Sequence, residues 1–406
     1  MGLHWRVGKR VAVIGGGPGG ISAALALHKK GFDVRVYEKQ PNPKSIGGAV
    51  LLSVPVLAIL RNYGVNLDNF GSYTVTQFCN KKGKVRVELP FNKNIEKLMG
   101  IKGWHYGVLR SSAFAHMVNL VPEGMVFGDH SFKSYEETKD NVRVTFENGE
   151  TIEADIVIGA DGIRSGVSEQ AFGGHGLFHI GIRVWLAWCD HIPDIPPNLG
   201  FISHNWKYQA SYFPMLHDGK PGFEWWIVES AKEGDIPPKD PKAHLTNILK
   251  DWAQPMPRFP EATDFDTQVF RWEIYNRESM KKWSKGRIVC LGDAVHPVSP
   301  YAAYGMGMAI EDGYYLAKFL DGKNLADLNS VNTGFLKYEE QRVDYVNEQV
   351  EFARKLGKIF HALPYPLAKL RDFVFDHTGF LEKTIVSGYL EAAEKESFDL
   401  EELHVK

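Results

Sequence analysis

Residues 11–14 (VAVI) form a short, wholly apolar run that ends directly in glycine, the pattern of a parallel strand buried on both faces and entering a tight turn. Residues 20–30 then place Ile21, Ala24, Leu25 and Leu27 on one helical face, with Gly31 as a stop. Residues 33–38 (DVRVYE) alternate as a second strand, which completes a β-α-β unit. Further on, 141–146 alternates, Asn148-Gly149 signals a hairpin, and 151–159 resumes the strand. From about 178 to 272 aromatic residues are dense, prolines recur and the alternation is strand-like, predicting a separate, largely antiparallel sheet. Residues 287–291 (RIVCL) return to the buried-strand style, followed by Gly292-Asp293 and a helix from about 305 to 320. The chain beyond is helical and charged. No fixed-period repeat is visible.

Composition changes this picture little. Of 406 residues, 47 are Lys or Arg and 49 are Asp or Glu, a formal charge of −2. That balance speaks against a protein organised around nucleic acid. Three cysteines, Cys79, Cys189 and Cys290, are too few and scattered for a disulfide framework or a metal cage, so a reducing, cytoplasmic setting without a bound metal is expected. The longest apolar stretch, 47–60, contains Ser53 and Pro55 and falls short of a membrane span. Residues 1–10 lack the apolar core of a signal peptide. Glycine alone stands out, with 40 residues against a usual share of roughly 7%. It must sit where backbone geometry demands it.

Gly15–Gly20 reads GGGPGG and satisfies G-x-G-x-x-G between a strand and a helix. In such a loop Gly15 permits the turn, Gly17 lets the backbone approach a pyrophosphate, and Gly20 lets helix and strand pack closely. The phosphate then meets free N–H groups at the helix start. Glu38, closing the second strand, is placed to accept the hydroxyls of an adenosine ribose, with Lys39 beside it. Two further strands end in glycine and acid, at Gly159-Ala160-Asp161-Gly162 and Gly292-Asp293. Three such ends in one parallel sheet would surround a single crevice.

In this order the motifs resemble the single-component FAD-dependent aromatic hydroxylases, those similar to para-hydroxybenzoate hydroxylase and salicylate hydroxylase. The resemblance covers roughly 9–65, 105–170 and 284–345. It implies an α/β fold: a Rossmann-like FAD-binding domain with a parallel sheet (1–75, 105–177 and 280–345), a mostly antiparallel substrate-domain sheet (76–104 and 178–279) and a helical C-terminal segment (346–406). It assigns Gly15, Gly17 and Gly20 to the FAD pyrophosphate, Glu38 to the ribose, the Asp161 turn to FAD and indirectly to the pyridine nucleotide, and Asp293 to the ribityl chain. Gly48 and Ala49 (in GGAVLL) would lie along the flavin, Arg110 would begin a helix that contacts the cofactor, and Gly305 and Met306 would open a helix aimed at the isoalloxazine. Two positions depart from the family pattern: Tyr304 stands where glutamine is usual, and Ser168 where an arginine often follows the Asp161 turn.

The implied activity is an FAD-dependent monooxygenase with tightly but non-covalently held FAD, using NAD(P)H and O2 to hydroxylate or rearrange an aromatic or polyketide-like small molecule by way of a flavin hydroperoxide. The partners are therefore small molecules, on a monomer or homodimer. A single G-x-G-x-x-G argues for transient nicotinamide docking. An oxidase or reductase of the same superfamily stays open. A halogenase would carry W-x-W-x-I-P, which is not present, and a non-catalytic FAD-binding protein ranks last. The substrate pocket is expected between flavin and the aromatic sheet, with Arg183, His204, Tyr208 and Tyr212 as polar candidates and Trp225 as a wall. Each of these also reads as a packing residue, Arg183 equally as the partner of a structural acid, and His296 as a loop-fixing hydrogen-bonder. No residue is nominated as catalytic base.

Overall fold

The strand Arg10–Ile14 pairs in parallel with Asp33–Tyr37 on one side and Ile156–Gly159 on the other, and the latter pairs with Ile288–Cys290. These runs are apolar because both faces are covered; Val11, Ala12, Val13, Ile156, Val157, Ile158, Ile288, Val289 and Cys290 have no exposed surface. Val126–Phe127 and the antiparallel Ser284–Lys285 complete a six-stranded sheet. In the computed structural model the described residues are 5–405 except 90, 91, 175 and 303.

The helix Pro18–Lys29 crosses the sheet and packs on Gly305–Leu320. A Cβ on Gly313 would come within 2.4 Å of Ala23 N, so this crossing requires glycine. Ser22 Oγ donates to Ile310 O at 2.6 Å across the same contact. The hairpin expected at Asn148-Gly149 joins Val142–Phe146 to Thr151–Ala154 in a separate three-stranded antiparallel sheet, with Gly149 at φ 88°.

The aromatic region forms most of a larger sheet, in the order Val269–Asn276, Phe178–Asp190, Lys220–Ser230, Tyr208–His217, Leu199–His204, Ser72–Asn80, His105–Leu109, Ala49–Ser53, with Val85–Glu88 beside Ser72–Asn80. It is mostly antiparallel; Leu199–His204 runs parallel to Ser72–Asn80. Its last two strands come from the segments that follow Gly47-Gly48 and precede Arg110, so the sheet reaches into the glycine-rich side of the molecule. Pro241–Leu249, Phe259–Ala262 and the turn between them cover its back face through Leu245, Leu249, Met256 and Phe259.

The C-terminal part is helical: Leu328–His361, Tyr365–His377, Phe380–Ile385 and Glu391–Asp399. The long helix buries Val331, Phe335, Tyr338, Arg342 and Val346, at spacings of three and four. Arg342 is the buried tie of this region. Its Nε donates to Asp312 at 2.9 Å, Nη2 to Glu311 at 2.9 Å and Nη1 to Glu396 at 3.1 Å, which joins three helices. One cation faces three acids. Burial pushes Glu311 and Glu396 up, while Asp312, despite its burial, is held below the usual range by His296 and Arg342. Among the described residues no helix is long and apolar enough to cross a membrane. The three cysteines are free and buried.

Removing the Arg342 cation should strand buried acids. Arg342→Met is expected to cost about 3–5 kcal/mol, read as a lowered midpoint in equilibrium denaturation.

Candidate functional site

Register brings the glycine turns together. Ile14 stands opposite Tyr37 and Gly159, and Gly159 opposite Cys290, so Gly15, Glu38, Ala160 and Leu291 leave the sheet at one rim. That rim opens on a cavity of about 710 Å³ between the parallel sheet, the front of the large sheet and the C-terminal helices.

Each glycine of the first loop has its own reason. Gly15 has φ +103°, and a Cβ there would lie 2.3 Å from Ala160 O; one on Gly20 would lie 2.0 Å from Gly15 O. At Gly17 nothing stands within 4 Å of a Cβ position, and Gly17 lines the cavity. No side chain caps the helix that Gly17 begins. Gly305–Leu320 likewise starts without a side-chain cap, and Gly305, Met306 and Gly307 line the same cavity. Two helix N-termini with unsatisfied N–H groups thus open on one space. Glu38 accepts from Gly16 N at 2.7 Å and Gln40 N at 2.9 Å, whereas Lys39 is exposed and does not reach the cavity lining.

Gly48, Ala49, Arg110 and Asp293 also line the cavity. Arg110 is held there by its backbone bond to Gly48 O (3.1 Å) and lies over the Trp272 ring at 5.9 Å. Its Nε is buried without a partner among the described residues. Burial lowers the Arg110 guanidinium, against Asp293; burial raises Asp293, against His296, Arg110 and Arg277. Asp161 behaves differently. Its carboxylate accepts from Ser165 Oγ at 2.5 Å and Val167 N at 3.2 Å, closing its own turn, while Gly162, Ile163 and Arg164 face the cavity. Ser168 is buried in the following helix and its N–H donates to Ser165 Oγ. Asp312 accepts from Gly292 N at 3.0 Å and from His296 Nε2 at 2.5 Å, so His296 does fix its loop. Tyr304 is buried; its hydroxyl accepts from Ser53 Oγ and donates to Glu311.

The substrate-side candidates divide by strand parity. Of them, only His204 reaches the cavity lining. Along Tyr208–His217, Gln209 and Phe213 face the cavity, so Tyr208 and Tyr212 turn to the back cluster, where Tyr212 meets Phe201, Phe223 and Phe259. Along Lys220–Ser230, Glu224 and Trp226 face the cavity, and Trp225 points back, donating to Thr263 at 2.9 Å. Arg183 pairs with Glu273 at 2.6 Å and Glu229 at 3.7 Å. The residues missed are those of opposite parity: Gln209, Phe213, Glu224 and Trp226, together with His105. Glu224 carried a signal, as a lone acid inside the apolar run FEWWIV. It is 1% exposed, accepts from Ala49 N at 2.8 Å, and burial holds its carboxyl well above the usual range. Among the described residues no cluster of His, Cys, Asp or Glu could hold a metal.

A family model described as the FAD binding domain matches residues 9–353. The chain belongs to this family. It is an oxidoreductase of the single-component FAD-dependent aromatic-hydroxylase type that the glycine motifs resemble. Similar curated proteins include 6-hydroxynicotinate 3-monooxygenase of Pseudomonas fluorescens, 29% identical over 386 residues that cover 87% of this chain and 90% of the relative. Another is 3-amino-4-hydroxybenzoate 2-monooxygenase of Streptomyces cremeus, 26% identical over 387 residues, or 89% and 90%. Klebsiella pneumoniae HpxO, solved with FAD and uric acid, shares the fold with a TM-score of 0.82 at 23% identity, over 96% of this chain and 98% of that one. The uncapped helix starts, the open space at Gly17 and the unpartnered Arg110 Nε fit an FAD in this cavity.

Two measurements follow from this geometry. Gly17 has extended backbone angles that valine accepts, so Gly17→Val should leave the circular dichroism and melting temperature near those of the parent while lowering FAD affinity by at least about tenfold, roughly 1.4 kcal/mol. His105 is driven down to about 3 by burial from its ordinary 6.5. The unfolded chain takes up that proton and the folded chain refuses it, so acidification below about 6.5 favours unfolding. The stability of His105→Gln relative to the parent should therefore rise as pH falls from 6.5 towards 4, by up to about 1.4 kcal/mol per pH unit.

Proposed function

We propose that the protein is an FAD-dependent monooxygenase that takes electrons from NAD(P)H and an oxygen atom from O2 to hydroxylate an aromatic small molecule. The observation that carries this is the meeting of two uncapped helix N-termini and three glycine turns on one largely apolar cavity. In this reading Gly15, Gly17 and Gly20 receive the pyrophosphate, Glu38 the adenosine ribose, and Asp293 with Arg110 the middle of the cofactor. Gly48, Ala49, Gly305 and Met306 border the flavin ring. Bound there, FAD supplies electron transfer and oxygen activation.

The chain's own part is orientation and the exclusion of water. The start of Gly305–Leu320 places positive helix-dipole charge where negative charge would gather on a reduced ring. Phe213, Trp226 and the C-terminal helix residues Phe352, Leu356 and Phe360 add apolar walls to the same cavity, and in this reading a flat substrate lies between them and the ring. Asp161 holds the Ser165–Ser168 turn, and in this reading the nicotinamide donor docks beside the exposed Arg164. The names of the curated relatives, hydroxylases of substituted nicotinate and benzoate rings, support this chemistry for a related pocket.

Purified protein should be yellow, and under air it should consume NADH or NADPH faster when a suitable phenolic compound is present, with a product heavier by one oxygen atom. A protein that stays colourless with added FAD would sink the reading. Bound FAD that NAD(P)H never bleaches under anaerobic conditions, with any aromatic ligand, would move it to an oxidase.

A further inference from the structure

The part of the cavity lined by the front of the large sheet and by the C-terminal helices has a definite charge character. Among its described lining residues the only arginines or lysines of the whole cavity are Arg110 and Arg164. Both sit among groups assigned here to the cofactor: Arg110 is bonded to Gly48, interacts electrostatically with Asp293 and touches the large sheet through the Trp272 ring, and Arg164 follows the Gly162 turn. The front of the large sheet contributes Phe78, Leu186, Ile202, Phe213 and Trp226, and the C-terminal helices close the far side.

The polar groups on that surface are neutral or already paired. Glu224 is buried beside Gly48 and Ala49 with no ion pair among the described residues; its Oε2 accepts from Ala49 N–H, its Oε1 has no partner there, and burial favours its neutral form. Glu273 is held by Arg183 and Arg271. His204 is stacked on Phe360 at 3.7 Å between ring centres and kept uncharged by burial, with His361, Arg371 and Arg86 adding to the effect. Those two arginines do not line the cavity; each contacts Asp372, and Arg86 also Asp376. Gln209 and Thr76 offer uncharged hydrogen bonds.

A ring carboxylate entering this part would leave water without gaining a cation, and an unpaired buried charge is strongly disfavoured. We propose that the pocket takes uncharged, predominantly apolar aromatic substrates and turns away ring carboxylates. The inference rests on the flavin monooxygenase reading, and it separates this chain from relatives whose named substrates are nicotinate and benzoate derivatives.

The test uses FAD-loaded protein and two probes of nearly the same shape, 2-acetonaphthone and 2-naphthoate, titrated at neutral pH and followed by the change in flavin absorbance. The neutral ketone is expected to bind at least about tenfold more tightly, a difference of roughly 1.4 kcal/mol. Gln209→Arg, which puts a cation on the front of the sheet, should shrink that ratio by tenfold or invert it. Equal or tighter binding of 2-naphthoate by the parent protein overturns the proposal whether or not the variant folds. So does a flavin that is demonstrably bound and that neither probe perturbs. Failure to take up FAD at all strikes the monooxygenase reading instead.

Discussion

The in-register pairing of three parallel strands is the constraint from which the site follows. Because Ile14, Gly159 and Cys290 lie side by side, segments nearly 300 residues apart in sequence end at the same height. Each then turns on a glycine with positive φ, at Gly15, Gly162 and Gly292. A slip of one residue in any strand would exchange the faces of its side chains and move its turn away from the others. The wholly apolar strand sequences suit layers covered on both sides.

The second support is polar. Asp312 holds the Gly292 turn through its backbone N–H, holds His296, and is held by Arg342. Through Glu311 the same arginine reaches Tyr304 and from there Ser53, at the end of the strand that starts beside Gly48. A network of this kind has low tolerance for partial loss, because each buried group relies on the next. Tyr304, unusual beside the family pattern, takes part in it: its ring occupies the space next to Gly307, where a Cβ would come within 2.9 Å.

The glycine rim was legible in the sequence because it is written in backbone terms. Glycine spacing, strand-end acids and the helix from 305 to 320 depend on local geometry, and Gly305–Leu320 forms over the expected span. Which side chains of the large sheet line the cavity was not legible. Strands such as Tyr208–His217 and Lys220–Ser230 are buried on both faces, so no alternation of polar and apolar residues tells which side meets the cavity and which the helices behind. Tyr212 and Trp225 carry attractive chemistry and sit one position away from Phe213 and Glu224, which line the cavity. Asp161 shows a related limit: the motif locates the turn, but only the fold shows that its carboxylate closes that turn.

The cavity's two ends are built from different parts of the chain. The glycine rim comes from the parallel sheet, whereas Phe352, Leu356, Phe360 and Ile385 approach from helices that follow it. A change in the packing of those helices alters the volume and shape of the far wall without touching the strand register that sets the rim. Phe352, Leu356, Phe360 and Ile385 take no part in the Arg342 network, so exchanging them would reshape that wall while the strand pairing behind the glycine rim stays as it is.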